Sequence, residues 1–215
     1  TEIYTLSLHD ALPISGEFAV ICLCAFAALL LGLYDDKRPL KAWVKLMGQI
    51  AIAVATATWG GVKISAFVQS DALSWCMTVF WLLFIFNSIN FFDNMDGLAV
   101  GTAFIAFSFF TIAAASNQQF FVASLGAAAA GASIGFWFYN HSPASIFMGD
   151  GGSHVLGYLL GVISAKVTYF TPGVSTTHFT ILIPLFILAV PVFDTLAVVA
   201  IRLYNRKPVY VGDHN

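Results

Sequence analysis

The side chains of this sequence that are best suited to chemistry are carboxylates in three short breaks between apolar stretches. Asp35 and Asp36 are adjacent, Asp93 and Asp96 are three residues apart, and Asp150 stands between glycines; together they are five of the eleven acidic residues of the chain. Hard cations such as Mg²⁺ take oxygen ligands and often bind phosphates at the same time. The pattern therefore indicates an enzyme that uses a metal ion and acts on a phosphate-containing substrate.

Amide and ammonium side chains extend the first two breaks. Asn87 and Asn90 are one helical turn apart and share a face, and Asp93 and Asp96 repeat that spacing if the helix continues. Such polar residues are costly in a membrane helix unless they face a cavity. They therefore predict a row of oxygen ligands on one face at the end of an apolar helix. Lys45 is expected one to two turns into the next helix, where it can meet a phosphate as a point charge.

The same residues also have simpler explanations. The adjacent carboxylates Asp35 and Asp36 repel each other, so one of them can act as a base or both can face a cation, but the pair can also merely cap a solvated turn. Gly97 can be the bend of an ordinary interfacial turn, and a Gly-Asp-Gly-Gly stretch occurs in many turns. His141 and His154 are candidate ligands or acid–base groups, although such residues often simply lie at the interface.

The last apolar stretch contains one further acidic residue, Asp194, in the segment Pro191-Val-Phe-Asp194-Thr. An acid within a span is a functional candidate. The alternative is a structural hydrogen bond to backbone that Pro191 has loosened.

The composition predicts that lipid covers much of the molecule. The 215-residue chain is 59% hydrophobic and 9% charged, and its mean hydropathy is +0.85. A soluble domain is usually about a quarter charged. The net charge of −2 and the lack of a basic patch argue against nucleic-acid binding. The three cysteines lie in apolar stretches, which is typical of small buried hydrophobic residues rather than of disulfides.

The length of the apolar stretches predicts an all-α, polytopic transmembrane helical bundle with about seven spans. They cover approximately residues 17–33, 43–60, 73–90, 97–116, 119–139, 154–170 and 179–204. Seven spans place all three acidic breaks on one side, and this side carries or adjoins seven Lys and Arg residues against two on the other. The excess of positive charge predicts that the acidic breaks are cytoplasmic.

The two ends of the chain differ from the rest. Residues 1–15 are mixed polar and precede an abrupt apolar onset, so we interpret them as an artefact or a disordered segment outside the fold. Residues 16–215 are expected to form a single transmembrane transferase domain that is truncated at both ends.

Four ordered motifs resemble the polyprenyl-phosphate N-acetylhexosamine-1-phosphate transferases over approximately residues 17–215. They are Asp35-Asp36, Asn87-x-x-Asn90-x-x-Asp93-x-x-Asp96-Gly97, Phe147-Met-Gly-Asp150-x-Gly-Ser153 and Pro191-x-x-Asp194-Thr. The closing segment from Arg206 resembles the start of the His-rich cytoplasmic loop of that family and contains His214. The residues of these motifs resemble the branch that transfers GlcNAc 1-phosphate more closely than the branch that transfers phospho-MurNAc-pentapeptide.

The resemblance implies a multi-pass enzyme of the bacterial inner membrane that joins UDP-GlcNAc, or another UDP-N-acetylhexosamine, to undecaprenyl phosphate and releases UMP. It implies Mg²⁺ as cofactor, with Mn²⁺ as a substitute, and a possible homodimer. By similarity, Asn90 and Asp150 hold the metal, and Asp35 and Asp36 are catalytic residues at the lipid phosphate. Similarity also assigns substrate binding to a larger set, namely Lys45, Asn87, Asp93, Asp96, Gly97 and His214.

Three other functions compete with this interpretation. Transfer of phospho-MurNAc-pentapeptide to the same lipid is the nearest. A CDP-alcohol phosphotransferase or lipid phosphatase is disfavoured because Asp96-Gly97 is followed by Leu-Ala-Val-Gly, not by the pattern of those transferases. An ion-coupled transporter would carry its acids near the bilayer midplane, whereas nearly all the acids here lie at predicted helix ends.

Overall fold

The fold is described by a computed structural model that covers residues 8–64, 70–167 and 182–206. Within these ranges it contains only helices and their connections, and no strand. The helices are α1 (Leu8–Lys37), α2 (Ala42–Trp59), α3 (Asp71–Phe92), α4 (Leu98–Ser116), α5 (Phe120–Asn140), α6 (Gly149–Lys166), α7 (Ile183–Ile187) and α8 (Ala189–Tyr204). The predicted all-α fold is confirmed. α1 begins before residue 16, so part of the segment that we set aside is helical.

The predicted number of about seven spans is corrected to four candidates among the described residues. These are the Gly16–Lys37 part of α1 and the whole of α3, α4 and α5, which are long and apolar enough to cross a membrane. α2 falls short because Lys45 and Gln49 interrupt its apolar sequence, and α6 because it opens with the polar stretch Gly-Asp-Gly-Gly-Ser-His. The last predicted span is divided at Leu188 into helices of 5 and 16 residues. Several apolar helices still indicate a multi-pass membrane protein.

Prolines explain two of the helix boundaries. α1 ends two residues before Pro39, since the residue before a proline disfavours helical backbone. The division at Leu188 has a related cause: Pro191 has no N–H to donate to the carbonyl one turn earlier, so helix cannot continue unbroken from α7 into α8.

α6 is the helix that organises the described bundle. It packs against α1, α3 and α4, and Leu160, Val162 and Ile163 are fully buried. Gly157 permits the close approach of α3, because a side-chain carbon added there would lie 2.9 Å from the carbonyl oxygen of Phe86. The first turn of α6 is consequently held against the ends of its neighbours, and this turn contains Asp150.

The contact between α1 and α6 depends on Gly32. A methyl group at this position would overlap the backbone carbonyl of Asp150. Since the obstacle is backbone and not a flexible side chain, the two helices would have to move apart to accept it. Gly32 therefore holds the acidic end of α1 beside the first turn of α6.

We expect Gly32→Ala to destabilise the protein by about 1–3 kcal/mol, the usual cost of overpacking a tight interface. The matched control is Gly131→Ala in α5, where an added carbon meets nothing within 4 Å. Thermal unfolding of both variants in detergent measures the difference. Equal melting temperatures for the two variants would show that α1 and α6 do not depend on this contact.

Candidate active site

Three helix ends meet around one pocket of about 420 Å³. They are the end of α1, the end of α3 and the start of α6, and the turn after α3 and the loop after α5 close the remaining sides. The start of α2 contributes Lys45 beside the pocket but no lining residue. The residues that line the pocket are predominantly acidic or amide residues, with an apolar edge: Asp36, Asn90, Asp93, Asn94, Met95, Asp96, Asn140, Phe147, Met148, Gly149 and Asp150. The structure thus brings the three acidic breaks of the sequence together.

Lys45 is the central cation of this site. Its Nζ atom lies 2.9 Å from Asp35 Oδ2 and 2.9 Å from Asp150 Oδ2, and it donates to Asn90 Oδ1 at 3.2 Å. These three partners come from three different helices. The side chain of Lys45 is only 17% exposed, so the ion pairs are screened less by water than a surface pair would be. Lys45 therefore links α1, α3 and α6 to α2 electrostatically.

Asn90 connects Asp150 to the end of α3. Its Nδ2 atom donates to Asp150 Oδ1 at 2.6 Å and to Ser153 Oγ at 2.9 Å. Asp150 consequently has one oxygen paired with Asn90 and the other with Lys45. Asn90 and Lys45 thus hold the two oxygens of this carboxylate in place, although they lie 60 and 105 residues away from Asp150 in the sequence.

Asp36 caps the first turn of α6 from a different helix. Its Oδ1 accepts from the backbone N–H of Asp150 at 2.8 Å, and its Oδ2 accepts from that of Gly151 at 3.0 Å. The first N–H groups of a helix have no partner within it and form a favourable site for negative charge. Asp36 therefore fixes the start of α6 while it also lines the pocket.

Asp35 has a different environment from Asp36. Its Oδ1 accepts from the backbone N–H of Leu40 at 2.6 Å, its Oδ2 pairs with Lys45, and its side chain is 10% exposed. It is absent from the lining of the pocket, whereas Asp36 is present there. The geometry thus separates two adjacent carboxylates that the sequence alone could not distinguish.

Asn140 holds the turn between α3 and α4 against the loop after α5. Its Oδ1 accepts from the backbone N–H of Gly97 at 3.1 Å, and its Nδ2 donates to the carbonyl of Ile146 at 2.9 Å. Gly97 has φ 72°, a left-handed conformation that favours glycine. The side chain of Asp96 reinforces this junction by accepting from the N–H of Ala144 at 3.0 Å.

Sequence reasoning did not single out Asn140, and it placed Phe147 in a motif without giving it a role in the site. Asn140 is 3% exposed, and its one available signal was an amide at the very end of an apolar helix. Phe147 is 76% exposed while it lines the pocket. A large aromatic ring exposed beside carboxylates was detectable only once the pocket itself was known.

The pocket carries an excess of negative charge. Four of its lining residues are aspartates, and none of the lining residues in the described part of the chain is Lys or Arg. Burial, and secondarily the negative charge of Asp150, raise the pKa of Asp93 to about 6. A cation in the pocket would favour the charged form of Asp93 and relieve this repulsion.

The donor set fits a hard cation. Asp150 and Asn90 offer oxygen ligands, carboxylates surround them, and no thiol or imidazole lines the pocket in the described residues; its sulfur atoms are the thioethers of Met95 and Met148, which are poor ligands for a hard cation. No group of three or more His, Cys, Asp or Glu residues with metal-binding geometry is found within residues 8–64, 70–167 and 182–206. The amide of Asn90 presents its nitrogen to Asp150 and its oxygen to Lys45, so a cation shared by Asn90 and Asp150 requires Lys45 to shift.

The other predicted site residues lie outside the pocket lining. Asn87 is bonded within the bundle, to Gln49 Oε1 and the carbonyl of Leu83. His141 stacks on Trp137 with ring centroids 5.0 Å apart. His154 is fully buried, and not at the interface. Asp194 in α8 is also absent from the lining of this pocket. The predicted substrate-binding residue His214 lies outside the described residues.

Comparison with known proteins identifies a family whose match includes every residue that lines the pocket. The model of glycosyl transferase family 4 matches residues 18–168. A probable undecaprenyl-phosphate N-acetylglucosaminyl 1-phosphate transferase of Bacillus subtilis is 37% identical over 92% of this chain and 56% of its own length. A phospho-N-acetylmuramoyl-pentapeptide-transferase of Lactiplantibacillus plantarum is 36% identical over 62% of this chain and 47% of its own length. The chain thus spans about half the length of these curated relatives.

Proposed function

This chain belongs to glycosyl transferase family 4, and from that premise we propose that the protein transfers GlcNAc 1-phosphate from UDP-GlcNAc to undecaprenyl phosphate. The products are undecaprenyl-pyrophosphoryl-GlcNAc and UMP. The observation that carries the proposal is the meeting of Lys45, Asn90 and Asp150, from three helices, beside a pocket lined by carboxylates. The similarity to the Bacillus subtilis enzyme over 92% of the chain supports it.

The reaction joins two anionic substrates, so positive charge has to be supplied. We propose that Asp150 and Asn90 hold Mg²⁺, for which Mn²⁺ can substitute. A bound Mg²⁺ would neutralise charge on the diphosphate and polarise its phosphorus–oxygen bonds. Lys45 supplies the second positive charge from the protein itself and stabilises charge that develops on the departing UMP. Asp35 keeps the ammonium group directed at this site.

Asp36 is the better placed of the two adjacent carboxylates to meet the lipid phosphate, because it is exposed and lines the pocket. We propose that it takes the proton of a singly protonated lipid phosphate. The resulting phosphate oxygen attacks the β-phosphorus of UDP-GlcNAc, the bond between the β-phosphorus and the bridging oxygen breaks, and UMP leaves with that oxygen. Asp35 assists by fixing Lys45.

The nucleotide is assigned to the part of the pocket that the α3–α4 turn and the loop after α5 form. Asp93 and Asp96 lie there, and Gly97 and Asn140 hold the turn in place. Phe147 offers an exposed aromatic face on which a uracil ring can stack. The excess of Lys and Arg in the segments assigned to the same side, 37–45 and 202–207, supports a cytoplasmic opening of the pocket, which is where a soluble nucleotide sugar is available.

Transfer of phospho-MurNAc-pentapeptide is the second candidate, because the Lactiplantibacillus plantarum protein named for that activity is similar over 62% of the chain. A direct competition separates the two. Membranes that contain the full-length protein are supplied with undecaprenyl phosphate, Mg²⁺ and both UDP-linked donors at equal concentration, each with its own label.

We expect the GlcNAc label to enter the lipid fraction, with release of an equal amount of UMP, while the muramoyl label stays in water. The reverse distribution would assign the protein to the second activity. If neither label reaches the lipid with Mg²⁺ or Mn²⁺, the proposed function is wrong. Membranes without the protein supply the background rate.

A further inference from the structure

A second layer of polar side chains lies deeper in the bundle than the pocket. It consists of Gln49 of α2, Asn87 of α3 and His154 of α6, which we call the inner polar layer. Asn87 Nδ2 donates to Gln49 Oε1 at 2.9 Å, and Gln49 Nε2 lies 3.2 Å from His154 Nε2. Gln49 is 1% exposed and His154 is 0% exposed, so these bonds are shielded from water.

The inner polar layer repeats the arrangement of the pocket one helical turn away. Each member is three or four residues from Lys45, Asn90 or Asp150 on the same helix. Residues at this spacing lie on the same helix face. The two layers are therefore stacked, with the pocket layer at the helix ends and the inner polar layer beneath it.

The hydrogen-bond network fixes the chemical form of His154. The carbonyl of Leu83 can only accept, so the group of Asn87 that faces it at 2.8 Å is the NH₂ group. The same NH₂ group donates to Gln49 Oε1, which leaves Gln49 Nε2 as the donor to His154. His154 Nε2 therefore accepts, and the ring is neutral with its proton on Nδ1. Among the described residues, Nδ1 has no hydrogen-bond partner.

α2 and α6 contact each other mainly through side chains, so the inner polar layer can determine how the two helices are placed relative to each other. α2 packs against α1 and α3, whereas the α2–α6 pair is absent from the closely packed helix pairs of the described chain. Side chains bridge the gap instead: Lys45 to Asp150 in the pocket, Gln49 to His154 beneath it, and Thr56 to Tyr158 one further turn away from the pocket. The first two bridges lie nearest the first turn of α6, and the third is too far along the helix to hold Lys45 against Asp150. Backbone packing alone therefore does not set the register between α2 and α6.

We propose that Gln49 and His154 are positioning residues, which fix the register between α2 and α6 and thereby hold Lys45 against Asp150. They touch neither substrate nor metal. Their effect on catalysis rests on the proposed function, but their effect on the first turn of α6 does not. A neutral imidazole suits this task, because it accepts from Gln49 without adding a buried charge.

The test compares variants of the full-length protein in detergent by hydrogen exchange. His154→Phe keeps a ring against Phe86, whose centroid lies 5.0 Å away, but removes the acceptor. His154→Gln restores an acceptor at a similar distance from the backbone. The matched control is Tyr158→Phe, one turn further along α6, which removes the contact of Tyr158 with Thr56 Oγ1 at 3.0 Å.

In His154→Phe we expect the amides at the start of α6, including those of Asp150 and Gly151, to exchange about fivefold faster, as for the loss of one buried hydrogen bond. His154→Gln and Tyr158→Phe should exchange there like the unmodified protein. If His154→Phe does not fold, Gln49→Met removes the same bond from the other helix. Unchanged exchange in whichever of these variants folds overturns the proposal.

A second readout concerns the metal. A cation shared by Asn90 and Asp150 requires Lys45 to shift, so His154→Phe, which loosens the hold on Lys45, should lower the Mn²⁺ concentration for half-maximal binding. Electron paramagnetic resonance measures this without any turnover, and in His154→Gln this concentration should equal that of the unmodified protein. If the exchange result holds but the unmodified protein transfers no label, the proposed function fails and the positioning role stands.

Discussion

Asp150→Asn is expected to lower kcat/KM for transfer by about 10³-fold, within the range found when one preorganised electrostatic group is removed from an active site. The substitution preserves the size of the side chain and removes its charge. One Asp150 oxygen accepts from Asn90 Nδ2 and the other pairs with Lys45 Nζ. An asparagine has only one oxygen, so in either orientation its NH₂ group would face a donor.

The same variant should need a higher Mg²⁺ concentration for half-maximal activity, because the proposed metal ligand has lost its charge. Asp71→Asn is the control, since Asp71 is an exposed residue that pairs with Lys63 at the opposite end of α3 from the pocket. We expect the control to retain the activity of the unmodified protein. Activity of Asp150→Asn within threefold of that level, at the same Mg²⁺ requirement, would remove Asp150 from the metal site.

Lys45→Met should have the second largest effect, a loss of about 10²-fold or more in kcat/KM. Methionine fills a similar volume but leaves Asp35 and Asp150 without the ammonium group that lies between them. Breaking a partly buried pair from one side costs more than the pair contributes, because the remaining charges are uncompensated. Melting temperature and transfer rate should therefore fall together.

The chain offers a matched control for this substitution. Lys63 pairs with Asp71, and their side chains are 56% and 90% exposed. An exposed pair of this kind contributes at most about 1 kcal/mol, so Lys63→Met should change neither rate nor melting temperature noticeably. Lys45→Arg adds a further check: a planar guanidinium does not reproduce a point charge between two carboxylates, and it should restore only part of the activity. Full activity of Lys45→Met would show that the ammonium group has no role in the reaction.

The sequence was informative about the helices and about which polar residues belong together. Apolar stretches predicted the position of every long helix, and the motifs predicted that Asp36, Asp93, Asp96 and Asp150 converge. Both predictions depend on local patterns, namely the length of an apolar run and the polar residues at its ends. The number of membrane spans was wrong because hydrophobic stretches that contain Lys45, or break at Leu188, resemble spans until their helices are known.

The contacts that define the site were beyond sequence reasoning. Asp36 caps α6 across 114 residues of chain, and no local pattern distinguishes it from Asp35. The spacing of Asn87 and Asn90 predicted a shared face but not that the partner of Asn87 is Gln49. Gln49 itself looked like an isolated amide in an apolar helix. Such pairings arise from tertiary packing, which places side chains from distant segments within hydrogen-bonding distance.

The central claim is that the phosphorus nearest the sugar moves together with the sugar, and one measurement tests it directly. Full-length protein in membranes is incubated with undecaprenyl phosphate, Mg²⁺ and UDP-GlcNAc that carries ³²P at the β-phosphate and ¹⁴C in the sugar. The account predicts that both labels enter the lipid in equal amounts and that UMP is the released nucleotide. If ³²P stays in water as UDP while ¹⁴C enters the lipid, the protein transfers the sugar alone and the account is contradicted.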